Sequence, residues 1–151
     1  MMSFIENRES LSATRISTRL ELYGRLSQAR DFIELNVEQP LTLSQIAEIA
    51  CLSTHHFLRV FKQAFEETPH QYLTRKRIER AKDLLLTTSI SIAGICQAVG
   101  FRSPGSFSWL FRRHVGCSPE GFRAINGHKK PTNTPATTTR LKRQRISYKR
   151  L

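Results

Sequence analysis

Arg59 is the residue whose type and position most clearly suggest a chemical role. In the segment after Ser53, Phe57, Val60 and Phe61 recur at the spacing of one apolar helix face, which leaves Arg59 on the exposed side. A guanidinium can donate two parallel hydrogen bonds to the edge of a guanine base. The chemistry suggested here is hydrogen bonding to a nucleobase, and a solvated surface arginine is the alternative.

Metal binding and catalysis find less support. Cys51 and His55 are four residues apart, which places them on one side of a helix, but no second pair at ligand spacing accompanies them. The chain has no glycine-rich phosphate loop and no nucleophile elbow, and its carboxylates are scattered among basic residues. We therefore predict no metal, no cofactor and no enzymatic activity.

The distribution of charge favours a polyanion as partner. The formal net charge is +12, and residues 126–151 hold eight Lys and Arg without a single Asp or Glu. The remaining residues, 1–125, hold 16 basic and 12 acidic side chains. Basic groups that neutralise phosphates release condensed counterions, which drives binding to nucleic acid. From charge alone, a solvated charged surface is the alternative.

Length and composition restrict the class of protein. A chain of 151 residues suits one domain, or two very small ones packed together. No apolar run approaches the roughly 18 residues that a spanning helix needs, and the N-terminus lacks the basic-then-apolar order of a secretion signal. The cysteines Cys51, Cys96 and Cys117 are far apart in the sequence, as expected of reduced thiols. We expect a cytoplasmic protein without a membrane segment.

The segments that must position these side chains are short helices. Ser91, Ser103 and Ser118 each precede an apolar-periodic segment, and proline follows the last two, at the position where a helix tolerates it best. Gly100 and Gly116 supply the permissive backbone that ends the first two of these helices. Two short helices joined by a tight turn are the pattern of a helix-turn-helix, whose second helix enters the major groove of DNA.

The same pattern also occurs about 50 residues earlier in the chain, and a longer predicted helix separates the two copies. A further helix is predicted between Arg25 and Glu38, ahead of Pro40. In the first helix of the two copies, the apolar residues Leu43, Ile46 and Ala47 correspond to Ile92, Ile95 and Cys96. In the segments that follow, the caps, phenylalanines and prolines correspond: Ser53, Phe57, Phe61 and Pro69 to Ser103, Phe107, Phe111 and Pro119.

At these residues the chain resembles the DNA-binding domain of the AraC/XylS family of bacterial transcription regulators. The resemblance covers Arg25 to Arg123 and rests on three motifs: IAEIACLSTHHFLRVFKQAF, Arg77 with Ala81, Leu84 and Leu85, and most specifically VGFRSPGSFSWLFRRHVGCSPEGFR. It implies an all-α fold of two three-helix helix-turn-helix subdomains joined by a long linker helix. The flanks are short and polar, so we expect no effector domain.

The resulting division of the chain has three parts. We predict a flexible N-terminal arm over 1–24, an AraC-type DNA-binding domain over 25–125 and a disordered basic tail over 126–151. Within the domain, the first helix-turn-helix spans 42–65, the linker helix 69–86 and the second helix-turn-helix 91–115.

By position, the resemblance implies two sets of base-reading residues: His55, Leu58 and Arg59 in the first recognition helix, and Gly105, Ser106 and Trp109 in the second. Leu58, Gly105 and Trp109 depart from the family pattern, in which polar readers are common. The second recognition helix is therefore expected to act mainly through shape and phosphate contact. The alternative to DNA contact for Trp109 is packing against another helix or against a partner protein. The predicted phosphate contacts are His56, Lys62, Arg75, Lys76, Ser103, Arg112 and Arg113.

We interpret the chain as a sequence-specific regulator of transcription, an activator, that binds double-stranded promoter DNA as a monomer at the nucleoid. RNA polymerase is a second expected partner. One rival is a non-specific nucleic-acid-binding or architectural protein driven by the basic tail, which the departures at the reading positions favour. The other rival is a protein-interaction module in which Trp109 and the recognition faces bind another protein.

Overall fold

The chain folds into helices joined by short turns. A computed structural model describes residues 3–127, and side chains from residue 17 onward, so most of the predicted disordered tail lies outside the described residues. No strand occurs within residues 3–127. The helices are α1 (Ser3–Leu35), α2 (Leu43–Ile49), α3 (Thr54–Phe65), α4 (Pro69–Thr87), α5 (Ile92–Ala98), α6 (Pro104–Val115) and α7 (Pro119–Asn126).

Capping residues explain where these helices begin. Thr42 and Thr68 each form a capping box, in which the hydroxyl accepts from the backbone of the third helical residue and the side chain of Gln45 or Gln71 accepts in return from the cap backbone. Serine hydroxyls cap the remaining four short helices in the simpler way, at Ser53, Ser91, Ser103 and Ser118. The all-helical fold predicted from the sequence is confirmed.

The N-terminal segment differs from the prediction. Instead of a flexible arm over 1–24, α1 begins at Ser3 and continues without interruption to Leu35. The segment from Ser3 to Tyr23 contains neither glycine nor proline, and an i,i+4 ion pair between Glu21 and Arg25 supports the helix (2.6 Å). The apolar period that predicts a helix between Arg25 and Glu38 does not extend to the earlier residues, which is why the period alone missed this part of α1.

Two separate apolar cores divide the fold into two units. The first unit, α1 to the start of α4, surrounds the fully buried rings of Phe57 and Phe61; the second unit, the rest of α4 to α7, surrounds Phe107 and Phe111. The two sets of buried residues have no member in common. Helix α4 belongs to both, since it contributes Tyr72 and Leu73 to the first core and Ile78, Ala81 and Leu85 to the second.

The second helix of each helix-turn-helix, α3 or α6, is followed by a residue in the left-handed conformation, but the residue type differs. Gly116 ends α6 with φ of +91°, where glycine carries no strain, whereas Glu66 ends α3 with φ of +62°. The turn of the first unit also holds a non-glycine left-handed residue, Cys51, with φ of +53°; the matching residue of the second unit is Gly100, with φ of +82°.

Candidate nucleic-acid interface

Helix α3 presents a mostly polar face because its largest apolar side chains are buried in the first core. Phe57, Val60 and Phe61 are buried. Leu58 and Arg59 between them, and His55 and Lys62 on either side, are exposed, and His56 is half-buried. Leu58 keeps 37% of its surface exposed, so the apolar departure noted in the sequence does lie on the outer side of the helix.

The charge of this face is uncompensated. Helix α3 contains no Asp or Glu. Within residues 17–127, the side chains of Arg59 and Lys62 make no hydrogen bond and no ion pair with the protein itself. Because neither cation is paired with a carboxylate of the protein, their donors are free for an external anion.

The start of helix α6 is built differently, because two of its hydroxyls already serve the cap. The Ser103 hydroxyl accepts from the backbone N–H of Ser106 (3.1 Å) and donates to the Ser106 hydroxyl (3.1 Å). Pro104 and Gly105 lie between them and are exposed. Gly105 has open space around it, with only the Ser103 hydroxyl near the position of an added Cβ, at 3.9 Å. This end of α6 therefore offers accessible backbone more than free side chains.

The middle of α6 carries an exposed aromatic and cationic pair. Trp109 is 59% exposed, and the guanidinium of Arg113 lies over its ring, 5.2 Å from the centroid. Arg112 is exposed as well, and the helix has no Asp or Glu. The structure thus separates Trp109 from the core rings of Phe107 and Phe111 and keeps it available on the outer face, held by a cation–π contact.

Two of the predicted phosphate contacts are engaged elsewhere. Arg75 pairs with Glu67 (2.6 Å) and Glu79 (2.9 Å), and the hydrogen bond that Arg75 donates to Glu67 is the main cause that raises the Arg75 pKa. Lys76 pairs with Glu34 (3.2 Å) and Glu79 (3.5 Å). Both cations thus neutralise carboxylates of the protein itself, and their contact with phosphate stays a prediction. The pair with Glu34 could not be read from the sequence, since Glu34 precedes Lys76 by some 40 residues.

The same contacts between α1 and α4 include a hydrogen bond that the sequence did not indicate. The Tyr72 hydroxyl donates to the Glu34 carboxylate, and this bond is the main cause that lowers the pKa of Glu34. Burial, followed by the same bond, raises the pKa of Tyr72. The network fixes α1 against α4 on the first unit and adds nothing to the exposed faces of α3 and α6.

Neither a metal cluster nor a spanning helix is found in the described part of the chain. No three or more His, Cys, Asp or Glu side chains within it converge closely enough to hold a metal ion. None of its helices combines the length and the apolar character needed to cross a bilayer.

Comparison with known proteins identifies the architecture. A family model described as "Helix-turn-helix domain" matches residues 46–125. A transcriptional regulator of Chromobacterium violaceum with an AraC-type DNA-binding domain is 34% identical, with a TM-score of 0.66 over 72% of this chain and 96% of the solved one. The DNA-binding domain of AdpA, solved in complex with a target DNA, is 28% identical, with a TM-score of 0.66 over 72% of this chain and 97% of that one.

A curated relative, the HTH-type transcriptional regulator ArgR of Pseudomonas aeruginosa, is 38% identical over 97 residues, which are 64% of this chain and 30% of the regulator. The chain spans about a third of the length of the curated relatives it matches.

Proposed function

This chain belongs to the family of AraC-type helix-turn-helix domains, and we propose that it regulates transcription by binding promoter DNA in a sequence-specific manner. The observation that carries the proposal is the pair of exposed, acid-free faces on α3 and α6, each held by its own core. In a helix-turn-helix, this second helix enters the major groove. Two such helices in one chain suit successive grooves about 34 Å apart.

The proposed division of labour follows the accessibility of each residue. Arg59 is assigned to a guanine edge, with His55 and Leu58 beside it, because these side chains are exposed and Arg59 makes no internal pair in the described residues. On α6 we assign base contact to Trp109, while Gly105 and Ser106 allow the backbone a close approach to the groove. Phosphate contacts are assigned to His56, Lys62, Ser103, Arg112 and Arg113.

The remaining parts of the proposal concern assembly and output. We assign a monomer that reads an asymmetric site, since two recognition helices in one chain remove the need for a palindrome. We also assign activation through contact with RNA polymerase, at the bacterial nucleoid. A reporter gene placed behind a recovered site tests the sign: expression that rises with the protein supports an activator, and expression that falls shows a repressor.

Selection of bound duplexes from a random DNA library tests the central claim. Wild type is compared with Arg59→Ala and with Arg80→Ala, a matched control that removes an exposed arginine from α4. We expect a bipartite motif with half-sites about 10 bp apart, and loss of one guanine preference in Arg59→Ala alone. Binding without any motif would instead favour the architectural rival, and little affinity for duplex DNA would favour a protein-interaction module.

A further inference from the structure

The side chain of Arg77 connects the two units by donating hydrogen bonds to backbone carbonyls of the first unit. It lies in the middle of α4, and its side chain crosses to the segment between α1 and α2. Its Nε donates to the carbonyl of Val37 (2.9 Å) and its Nη2 donates to the carbonyl of Gln39 (2.8 Å). The guanidinium is half-buried, and burial lowers its pKa. A charged group taken from water and given two carbonyl acceptors holds those acceptors firmly in place.

The turn between α5 and α6 in the second unit contacts the Arg77 side chain and the same segment between α1 and α2. The ring of Phe101 lies 5.6 Å from the Arg77 guanidinium. At Gly100, an added Cβ would come within 2.7 Å of the Glu38 carbonyl oxygen and 3.0 Å of Arg77 Nη2. The turn that precedes α6 is therefore in close contact with the segment that precedes α2. We call this set of contacts the Arg77 joint: Arg77, Gly100 and Phe101 against the backbone of residues 37–39.

None of the residues of the Arg77 joint is among those proposed to contact DNA, yet the joint constrains both recognition helices. Helix α4 is continuous and anchors one core at each end, but a single helix can bend and can twist at its ends. The Arg77 joint adds a second connection between the units, and it acts directly on the turn that ends where α6 begins, at Ser103. Two connections fix an orientation that one leaves adjustable.

We infer that Arg77 is a positioning residue for DNA recognition: by holding the turn of the second unit against the first unit, it sets the spacing between half-sites that the chain accepts. The inference rests on the proposed function. One base pair of B-DNA corresponds to about 3.4 Å of rise and about 35° of rotation, so a small change of angle between the units alters the preferred spacing. Arg77 itself needs no contact with DNA.

The experiment measures affinity for duplexes in which the two half-sites are moved apart or together by one and two base pairs. Arg77→Met keeps the apolar stem and removes both donors. Arg80→Met is the matched control, because it removes the same charge from an exposed position on the same helix. Gly100→Ala approaches the joint from the other side, through its contact with the Glu38 carbonyl. Each variant is also measured on single half-sites and by circular dichroism, which establish that both units are folded.

Wild type and Arg80→Met should prefer the native spacing over a shift of one base pair by about tenfold or more, since a rigid linkage between two sites contributes strongly to affinity. In Arg77→Met and Gly100→Ala we expect this ratio to fall below about threefold, with single half-site affinity within about twofold of wild type. An unchanged ratio in both folded variants would overturn the inference. A wild type without any spacing preference would instead remove the proposed two-groove function, so the two failures are distinguishable.

Discussion

Replacing Phe111 by Ala should unfold the second unit and leave the first one folded. Phe111 is fully buried, with the rings of Phe107 at 5.7 Å and Phe122 at 5.6 Å between centroids. Truncating a buried phenylalanine costs about 3–5 kcal/mol, and lost aromatic pairing adds about 0.5–1.5 kcal/mol per pair. A unit of this size has a free energy of unfolding of roughly 3–8 kcal/mol, so the loss removes most of its stability.

The separation of the cores limits the damage to one unit. No buried side chain belongs to both cores, and the first core retains its own aromatic cluster around Phe61, with Phe57 at 5.2 Å and Phe65 at 4.6 Å. Phe61→Ala is therefore the corresponding variant in the first unit. It should destabilise the first unit by a similar amount and leave the second one intact.

The chain offers a probe for each case. Trp109 is its single tryptophan and lies in α6, so tryptophan fluorescence reports on the second unit, whereas far-UV circular dichroism reports on all helices. In urea, with a slope of about 1 kcal/mol per M for so small a unit, we expect the fluorescence midpoint of Phe111→Ala to fall by about 4 M or more. The circular dichroism curve of the same variant should split into two transitions. In Phe61→Ala the fluorescence midpoint should stay in place while part of the helical signal is lost early.

The result that refutes this reasoning is a coincident shift of both signals in both variants. It would mean that the Arg77 joint and the shared helix α4 make the two cores unfold as one.

Three smaller predictions concern single contacts. Tyr72→Phe removes the donor that lowers the pKa of Glu34 from its usual 4.5. A carboxylate with a lowered pKa stabilises the fold above about pH 4.5 and ceases to do so as the pH falls through the lowered value, so the difference in Tm from wild type should shrink in acid; a difference independent of pH would contradict this. Cys51→Gly should raise the free energy of unfolding in urea by up to about 1 kcal/mol, because φ of +53° strains any residue with a Cβ, and a lower value would show that the thiol packs usefully. Lys62→Ala should weaken DNA binding about equally on all sequences and lower the slope of log affinity against log salt by about 1, whereas a change in the selected motif would make Lys62 a base reader.

Much of the fold could be predicted from the sequence because its signals are local. Thr42 with Gln45, Thr68 with Pro69 and Ser103 with Pro104 mark helix starts within a few residues of chain, and the structure has helices beginning at Leu43, Pro69 and Pro104. The phenylalanine spacing likewise identified the buried rings.

The roles of Lys76 and Arg77 could not be predicted, because Glu34 and the carbonyls of Val37 and Gln39 are remote from them in sequence. Arg75, Lys76 and Arg77 are three adjacent cations that look alike to any local pattern. In the structure the first two bind carboxylates, Lys76 reaching Glu34 of α1, and the third binds carbonyls between α1 and α2. The packing of α1 and of the segment that follows it against α4 gives Lys76 and Arg77 their roles, whereas the carboxylates that bind Arg75 are near it in sequence. The base-reading assignments on α3 and α6 stay predictions.

The double membership of α4 fixes its length. Tyr72 and Leu73 point into one core and Ile78, Ala81 and Leu85 into the other, along one continuous helix. Inserting one residue between Leu73 and Ile78 would turn the second unit by about 100° and move it by about 1.5 Å along the axis. The Arg77 side chain could no longer reach both units, and α6 could no longer enter the groove proposed for it when α3 occupies its own. Loops can absorb insertions and deletions, but this part of α4 cannot, because its length and its helical twist set both the distance and the angle between the two units.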